Sequence, residues 1–337
     1  MIRRTVANLS IKNHLLSCNQ LSIENIKYLF KRSEYFENIE KNPSFTSPGY
    51  DRPSIAKDAI LMNAFFEPST RTMLSFESAM YKLGGKVINF NKDFSSKKKG
   101  ESDNDTVKSL QNYADIMVIR HPKKGFVENA SQYTNIPIIN GGDGNGEHPT
   151  QALLDLYTIY KNFKDFFDKD GARLNILIVG DIKHSRTVHS LVDILKHYPR
   201  IKINLLPYQD REPDLNFMYN IALQHNQVVE DILVSNANCE FDKFDVIYMT
   251  RMQEEREKYK NDFENLILNN EVMKKCKENA IVMHPLPRNH EINTEIDEDE
   301  RCIYFEQMKN GVYVRMAILD LYMQFIKYKD LKETFFI

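Results

Sequence analysis

Short apolar runs rich in Ile, Val, Leu and Phe recur along most of this chain, and stretches with helical spacing separate them. That alternation restricts the fold more than any other feature. Strands joined through helices of this length form βαβ units, and hence parallel sheets covered by helices on both faces. The candidate strands lie at 59–66, 86–90, 115–120, 136–140, 174–180, 202–207, 245–250 and 280–285. Helical spacing marks 69–83, 106–113, 149–163 and 186–198. The uninterrupted apolar run from Ile176 to Val179 suits a sheet buried on both sides. The expected fold class is α/β, with two domains, each a mainly parallel sheet flanked by helices.

A length of 337 residues supports the same count, since domains average about 150 residues and each half can bury its own core. The crossing point is expected at Pro149, which suits the first turn of a helix because its missing N–H costs nothing there. The charged stretch 164–173 follows, and then a second series of strands. The final helical stretch, 311–328, comes after that series has ended and is free to pack elsewhere. The expected domains are 1–148 plus 306–337, and 149–305. No repeat of fixed period is present. The acidic, polar segment 289–301 reads as a solvated loop.

Composition narrows the function classes. Lys and Arg total 45 against 47 for Asp and Glu, a net charge of −2. Such a balance lacks the basic surplus of a general nucleic-acid binder. Hydrophobic residues at 42% and charged residues at 27% exclude wholesale disorder. No apolar run approaches the ~20 residues needed to cross a bilayer. Cys18, Cys239, Cys276 and Cys302 form no CxxC pair, so neither a disulfide framework nor a zinc knuckle is written here. Arg3 and Arg4 are followed by no apolar core of a signal peptide. The expected location is cytoplasmic, with an organelle reached through a removed targeting segment as the alternative.

Three segments carry chemistry. In Phe65-Phe66-Glu67-Pro68-Ser69-Thr70-Arg71-Thr72, three hydroxyls and a guanidinium gather where a helix leaves its first N–H groups unpaired. That is an anion site suited to phosphate, although a Ser/Thr cap beside an exposed Arg has the same sequence. Walker A spacing is absent. In Gly141–Gln151 the glycines lack dinucleotide-fingerprint spacing and read as a flexible loop that lets backbone approach a ligand. His148, just ahead of the helix, is placed to donate to a developing oxyanion or else to serve as a turn residue. In His284-Pro285-Leu286-Pro287-Arg288 the prolines restrict the backbone so that a carbonyl can be aimed, or simply build a rigid turn. Arg120, Arg186 and Arg251 each follow strands or turns on the edge where open α/β sheets bind ligands.

Together these segments resemble the aspartate/ornithine carbamoyltransferase family, and within it the aspartate-specific catalytic chains of pyrimidine synthesis. Phe65–Thr72 is similar to the family's phosphate motif, Ser95–Ser102 to its mobile loop and Arg120-His121-Pro122 to a further carbamoyl-phosphate segment. His148–Gln151, Arg186–Ser190, Met249–Gln253 and His284–Arg288 follow in the family's order, and the resemblance covers roughly 25–328. It implies transfer of a carbamoyl group from carbamoyl phosphate to the amine of L-aspartate, with no cofactor and no metal. It further implies a carbamoyl-phosphate domain (1–148 plus 306–337) and an aspartate domain (149–305).

By the same resemblance, Ser69, Thr70, Arg71, Thr72 and Arg120 bind phosphate, while Thr72, Arg120 and His148 polarise the carbamoyl oxygen. Gln151 and the carbonyls of Pro285 and Leu286 hold the carbamoyl NH2. Arg186, Arg251 and Gln253 meet the carboxylates of aspartate. Ser95 and Lys99 reach the site from a neighbour in a homotrimer, with Lys99 bridging both substrates, and Glu67 and Arg256 resemble a closure pair. The catalytic set is thus Arg71, Thr72, Lys99, Arg120 and His148. The expected partners are carbamoyl phosphate and L-aspartate, with no nucleic acid and no membrane, and a regulatory chain is left open by the motifs.

Two other readings are distinguishable. A binding homologue without turnover should have lost Arg71, Lys99, Arg120 or His148, and all four are present. A carbamoyltransferase for a cationic acceptor such as ornithine resembles others in a Cys-bearing HCLP turn, whereas this turn is His-Pro-Leu-Pro. Several cations in one cleft repel ornithine and attract a dicarboxylate. The N-terminal segment before about residue 25 and the stretch 162–173 are extensions with no assigned role.

Overall fold

Among the described residues, eight parallel strands, laid down as two series of four, form two sheets. The computed structural model describes residues 13–42, 54–91, 100–169, 171–253 and 266–334, with backbone alone at 91 and 328–334. Strands β1 (Ile60–Phe65), β2 (Lys86–Asn91), β3 (Ile116–His121) and β4 (Ile138–Asp143) pair in the order β2-β1-β3-β4. Strands β5 (Leu174–Gly180), β6 (Ile201–Pro207), β7 (Val246–Met249) and β8 (Ile281–Met283) repeat that pattern as β6-β5-β7-β8. The chain forms two compact units, 1–153 with 310–337 and 154–309.

Helices α1 (Ile23–Lys41), α2 (Thr70–Lys82), α3 (Asp103–Leu110) and α4 (Phe126–Ser131) belong to the first unit. Helix α5 (Pro149–Asn162) leads into the second, which contains α6 (Lys164–Asp168), α7 (Arg186–Leu195), α8 (Leu215–His225) and α9 (Asn270–Met273). The last helix, α10 (Tyr304–Thr334), returns the chain to the first unit. No described helix is long and apolar enough to cross a membrane.

Alternation along the strands builds each core. Met62, Ala64 and Phe66 point to one face of the first sheet and meet Met117, Ile119, Val107, Phe126 and Val127. Leu177 and Val179 of β5 and Ile247 and Met249 of β7 do the same in the second unit. Strand β5 is buried nearly throughout because helices cover both of its faces.

Local chemistry sets the helix starts. Ser22 and Asn25 form a reciprocal capping box on α1, whose Ile26, Leu29, Phe30 and Phe36 make a buried stripe of helical spacing. Ser102 accepts the Asp105 N–H and, with Asp103 and Asp105 in the first turn, starts α3 three residues before the expected 106.

Three expectations change. The segment before residue 25 has a structural role: Leu15 bridges to Ile139, and its backbone pairs with Ile138 and Asn140 at 2.8 Å each. The 289–301 segment is more than a solvated loop, because Ile292 and Ile296 lie in the second core and Glu291 is buried. The last helix begins at Tyr304, running through Asn310-Gly311 without a break.

Gly180 closes β5 at φ +123, and a Cβ there would lie 2.1 Å from the Thr250 carbonyl oxygen. Only glycine permits both the backbone angle and the approach of β7's end. Gly180→Ala is therefore expected to destabilise the protein by roughly 2–4 kcal/mol. Urea unfolding measures this, and an unchanged midpoint would contradict the steric argument.

Candidate active site

In each sheet the first strand lies in the interior. The chain leaves β1 for β2 on one side and returns to β3 on the other, then repeats this with β5, β6 and β7. Connections diverge at the carboxyl ends of β1 and β3, and of β5 and β7. Such switch points are where open parallel sheets receive ligands.

On the first sheet, β1 runs into Glu67, Pro68 and the start of α2. Ser69 occupies the N-cap position, yet its side chain makes no capping hydrogen bond. The cap alternative for this motif therefore loses its defining contact. Thr70 and Arg71 are exposed, Ser69 half-buried and Thr72 buried, around the first N–H groups of a 13-residue helix. At the end of β3, the Arg120 Nε lies 2.7 Å from the Glu67 carboxylate, and its Nη1 donates to the Gly141 carbonyl at 3.2 Å. The guanidinium is held at the rim beside the hydroxyls.

His148 joins this group at the start of α5. It is buried, with Nε2 3.5 Å from the Thr72 hydroxyl and Nδ1 3.5 Å from the Thr150 hydroxyl. Its carbonyl accepts the Gln151 and Ala152 N–H groups, which begins the helix. Gln151 is half-buried on that first turn.

The preceding glycine segment is a closed turn rather than a flexible loop. Asp143 accepts from the Glu147 and Gly125 amides at 2.7 and 2.8 Å, and the Gly144 N–H donates to the His121 carbonyl at 2.7 Å. Gly144, at φ +51, sits where a Cβ would be 2.5 Å from the Pro122 oxygen. Glycine is required there for close packing of backbone on backbone. Glu147 then ties the turn to the N-terminal segment, accepting from the Ser17 hydroxyl at 2.6 Å and the Cys18 amide at 2.7 Å.

On the second sheet, Asp181 follows Gly180 and is fully buried. It accepts from the His184 amide at 3.2 Å and from the Gln253 amide at 3.1 Å, with Arg211 at 3.9 Å. One carboxylate thus connects the turn after β5 with the segment after β7. Arg186 opens α7, and Ser185 before it contacts Thr250 at 3.2 Å. Arg251 donates to the Met252 carbonyl at 2.9 Å. Arg186, Arg251 and Gln253 are all half-buried and share the β5–β7 edge.

Pro285 and Leu286 follow β8, also half-buried, and the Leu286–Pro287 peptide is cis. Arg288 anchors the end of this turn by donating to both Asp297 oxygens, one at 2.6 Å, and to the Tyr304 hydroxyl at 2.9 Å. Its hydrogen bond holds the Asp297 carboxyl below the ordinary range.

Ser95, Lys99 and Arg256 lie outside the described residues. The structure groups Glu67, Ser69–Thr72, Arg120, His148 and Gln151 in the first unit, and Arg186, Arg251, Gln253, Pro285 and Leu286 in the second. Asp181 and Glu147 were not among the sequence candidates. A polar residue directly after a buried strand's glycine signals Asp181; nothing local announces that Glu147 binds a segment about 130 residues away. Among the described residues no cluster of His, Cys, Asp and Glu is arranged to hold a metal ion.

Comparison with known proteins adds to this geometry. Residues 13–161 match the profile described as "Aspartate/ornithine carbamoyltransferase, carbamoyl-P binding domain", and residues 172–322 match its "Asp/Orn binding domain". The aspartate carbamoyltransferase catalytic subunit of Clostridium perfringens (strain SM101 / Type A) is 42% identical over 316 residues, covering 92% of this chain and 97% of that protein. Its counterpart from Alkaliphilus oremlandii is 40% identical, covering 91% and 90%. Among solved structures, aspartate transcarbamoylase from Trypanosoma cruzi in complex with N-(phosphonacetyl)-L-aspartic acid superposes with a TM-score of 0.81 at 35% identity, covering 94% of this chain and 96% of that one. The same enzyme with carbamoyl phosphate gives 0.82 at 33% identity, covering 94% and 97%. With two switch-point sheets, both domain profiles matched in order and relatives alike over nearly their whole length, this chain belongs to the aspartate/ornithine carbamoyltransferase family.

Proposed function

We propose that the chain is an aspartate carbamoyltransferase, converting carbamoyl phosphate and L-aspartate into N-carbamoyl-L-aspartate and phosphate, a step of pyrimidine biosynthesis. The observation that carries this reading is that the two sheets carry rims of different chemistry. One bears hydroxyls, helix N–H groups and Arg71 and Arg120 after β1 and β3; the other bears Arg186, Arg251 and Gln253 after β5 and β7. The first suits a phosphate and the second a dicarboxylate. Accordingly, 1–148 with 306–337 is read as the carbamoyl-phosphate domain and 149–305 as the aspartate domain.

The amine of aspartate attacks the carbamoyl carbon. As the C–N bond forms, the carbonyl oxygen gains negative charge; that charge then returns as the C–O bond to phosphate breaks, and the proton lost by the amine ends on the departing phosphate. Catalysis is then a matter of holding two anions together and stabilising the new charge. Ser69, Thr70, Arg71 and Thr72 bind the phosphate with Arg120, and Arg71 neutralises it as it leaves. Thr72, Arg120 and His148 donate toward the developing oxyanion; the 3.5 Å between Thr72 and His148 supports a shared target. Gln151 and the carbonyls of Pro285 and Leu286 accept from the carbamoyl NH2. Arg186, Arg251 and Gln253 bind the acceptor's carboxylates.

The same reading includes a homotrimer in which Ser95 and Lys99 complete a neighbour's site. Its support is a set of exposed apolar side chains on the helix that begins at the phosphate motif and on the strand after it. Leu74 and Tyr81 on α2 are 52% and 53% exposed, and Ile88 on the edge strand β2 is 40% exposed. Strand β2 runs directly into the segment that carries Ser95 and Lys99. A cytoplasmic location belongs to this reading too.

The assignment is tested by offering L-aspartate, L-ornithine and other amino acids with carbamoyl phosphate. Aspartate should be the preferred acceptor; preference for another amine, or no turnover with any, overturns it. His148→Ala should lower kcat by about 10²–10³, the usual loss for one oxyanion donor. Phosphate affinity, read by calorimetry, should hardly change. A kcat within a few-fold of wild type would make His148 a turn residue only.

Subunit sharing is tested by mixing. Arg71→Ala and Lys99→Ala chains should each be almost inactive. Randomly reassembled trimers from equal amounts should recover roughly a quarter of wild-type activity, because each site needs one intact residue from each of two neighbours. No recovery from confirmed mixed trimers would place both residues in one chain.

A further inference from the structure

The turn after β8 contains a hydrogen-bonded relay that the functional reading does not use. His284 is 1% exposed, and its backbone N–H is held by the Gln307 side chain at 2.8 Å. Its ring has two partners. The Leu286 backbone N–H donates to Nδ1 at 2.8 Å, and Nε2 lies 2.8 Å from a Glu291 oxygen. A backbone amide can only donate, so Nδ1 is the unprotonated nitrogen. The ring proton therefore sits on Nε2 and is donated to Glu291.

The Glu291 carboxylate is itself buried and also accepts from the Asn289 amide, at 3.1 and 3.2 Å. Burial alone would push its carboxyl up, but the hydrogen bonds from His284 and from backbone donors outweigh this and hold it below the ordinary range. It is an ionised acceptor at neutral pH.

The Leu286 N–H shares a planar, trans peptide with the Pro285 carbonyl, so the two point in opposite directions. Fixing one fixes the other. Leu286 also adopts φ +54, a left-handed conformation that a Leu side chain rarely takes, so this orientation is one the local chain would not choose by itself.

The first unit contains the same device. The Lys123 amide donates to His121 Nδ1 at 3.0 Å, and His121 Nε2 lies 3.2 Å from Asp103. There the intervening Pro122 carbonyl is packed on Gly144, in the turn before His148.

We propose that Glu291, acting through His284, is a positioning residue that aims the Pro285 carbonyl at the carbamoyl NH2. This rests on the role given to Pro285 above. Glu291 selects the Nε2–H tautomer, the tautomer leaves Nδ1 free to accept from Leu286, and the peptide plane then presents the Pro285 oxygen. Without an acceptor at position 291 the imidazole is free to place its proton on Nδ1, where it opposes the Leu286 N–H donor to donor.

Carbamoyl phosphate and inorganic phosphate provide the test, because they share the phosphate contacts while only the former has an NH2. In Glu291→Leu, carbamoyl phosphate affinity should fall about ten-fold, the scale expected when a fitted hydrogen bond is lost. Phosphate affinity should stay within about two-fold of wild type. Glu291→Gln, which still offers an oxygen to Nε2–H, should restore carbamoyl phosphate affinity to within about three-fold.

Should Glu291→Leu fail to fold, His284→Asn and His284→Leu decide. The Asn side chain puts an oxygen near the Nδ1 position and should retain the discrimination between the two ligands, while Leu should lose it. Equal weakening of both ligands, or no weakening of either in a folded variant, overturns the proposal. Turnover of aspartate by the wild-type enzyme stands as the separate test of the underlying function.

Discussion

A parallel sheet whose first strand ends up in the interior cannot be laid down in one direction. After β1 the chain crosses to β2, reverses, and crosses back to β3; after β5 it does the same with β6 and β7. Right-handed crossovers put helices over both faces, and the reversal parts the connections at one edge. The other functional features are responses to that parting. The backbone there has no neighbouring strand to complete it, so N–H groups and carbonyls are available to side chains or ligands. Gly180 and Asp181 close the second edge, and Asp143 organises the approach to the first.

Charge at these edges is kept accessible by partial pairing. Arg120 is a guanidinium on a buried strand end, and isolated it would cost solvation; Glu67 at 2.7 Å offsets that. Both side chains keep some water contact, at 13% and 22% exposure. His121 and His284 follow a stricter rule, since each has a backbone donor on one nitrogen and a carboxylate on the other.

The strands were legible because apolar character is the main determinant of a doubly covered sheet. The run 174–180 coincides with β5, and 202–207 falls one residue short of β6. Where the reading overshot, polar chemistry intervened: β8 ends at Met283, since His284 and Pro285 turn the chain out of the ladder. Asn310-Gly311 looked like a helix start and proved to be helix interior, because tertiary packing overrides a weak local breaker. The hydroxyl-and-arginine motif, His148 and the strand-end arginines were all visible as residue types at element ends. Glu147, Asp181 and Glu291 were not, because their meaning lies in partners set by the fold. Ile292 and Ile296 were overlooked for a related reason: the charged residues around them, Asp297 and Asp299, are paired with Arg288 and Arg301.

Because each sheet has its own core, the two ligand-facing edges can vary separately in evolution. The side chains at 181–186 and 251–253 project from a scaffold held by Leu177, Val179, Ile247 and Met249, none of which belongs to the first core. A lineage can therefore change the charge of the second edge by altering a few turn residues, while the hydroxyls and arginines around α2 keep their hydrophobic support. Change at one edge with constancy at the other is the natural outcome of building them on two independently packed sheets.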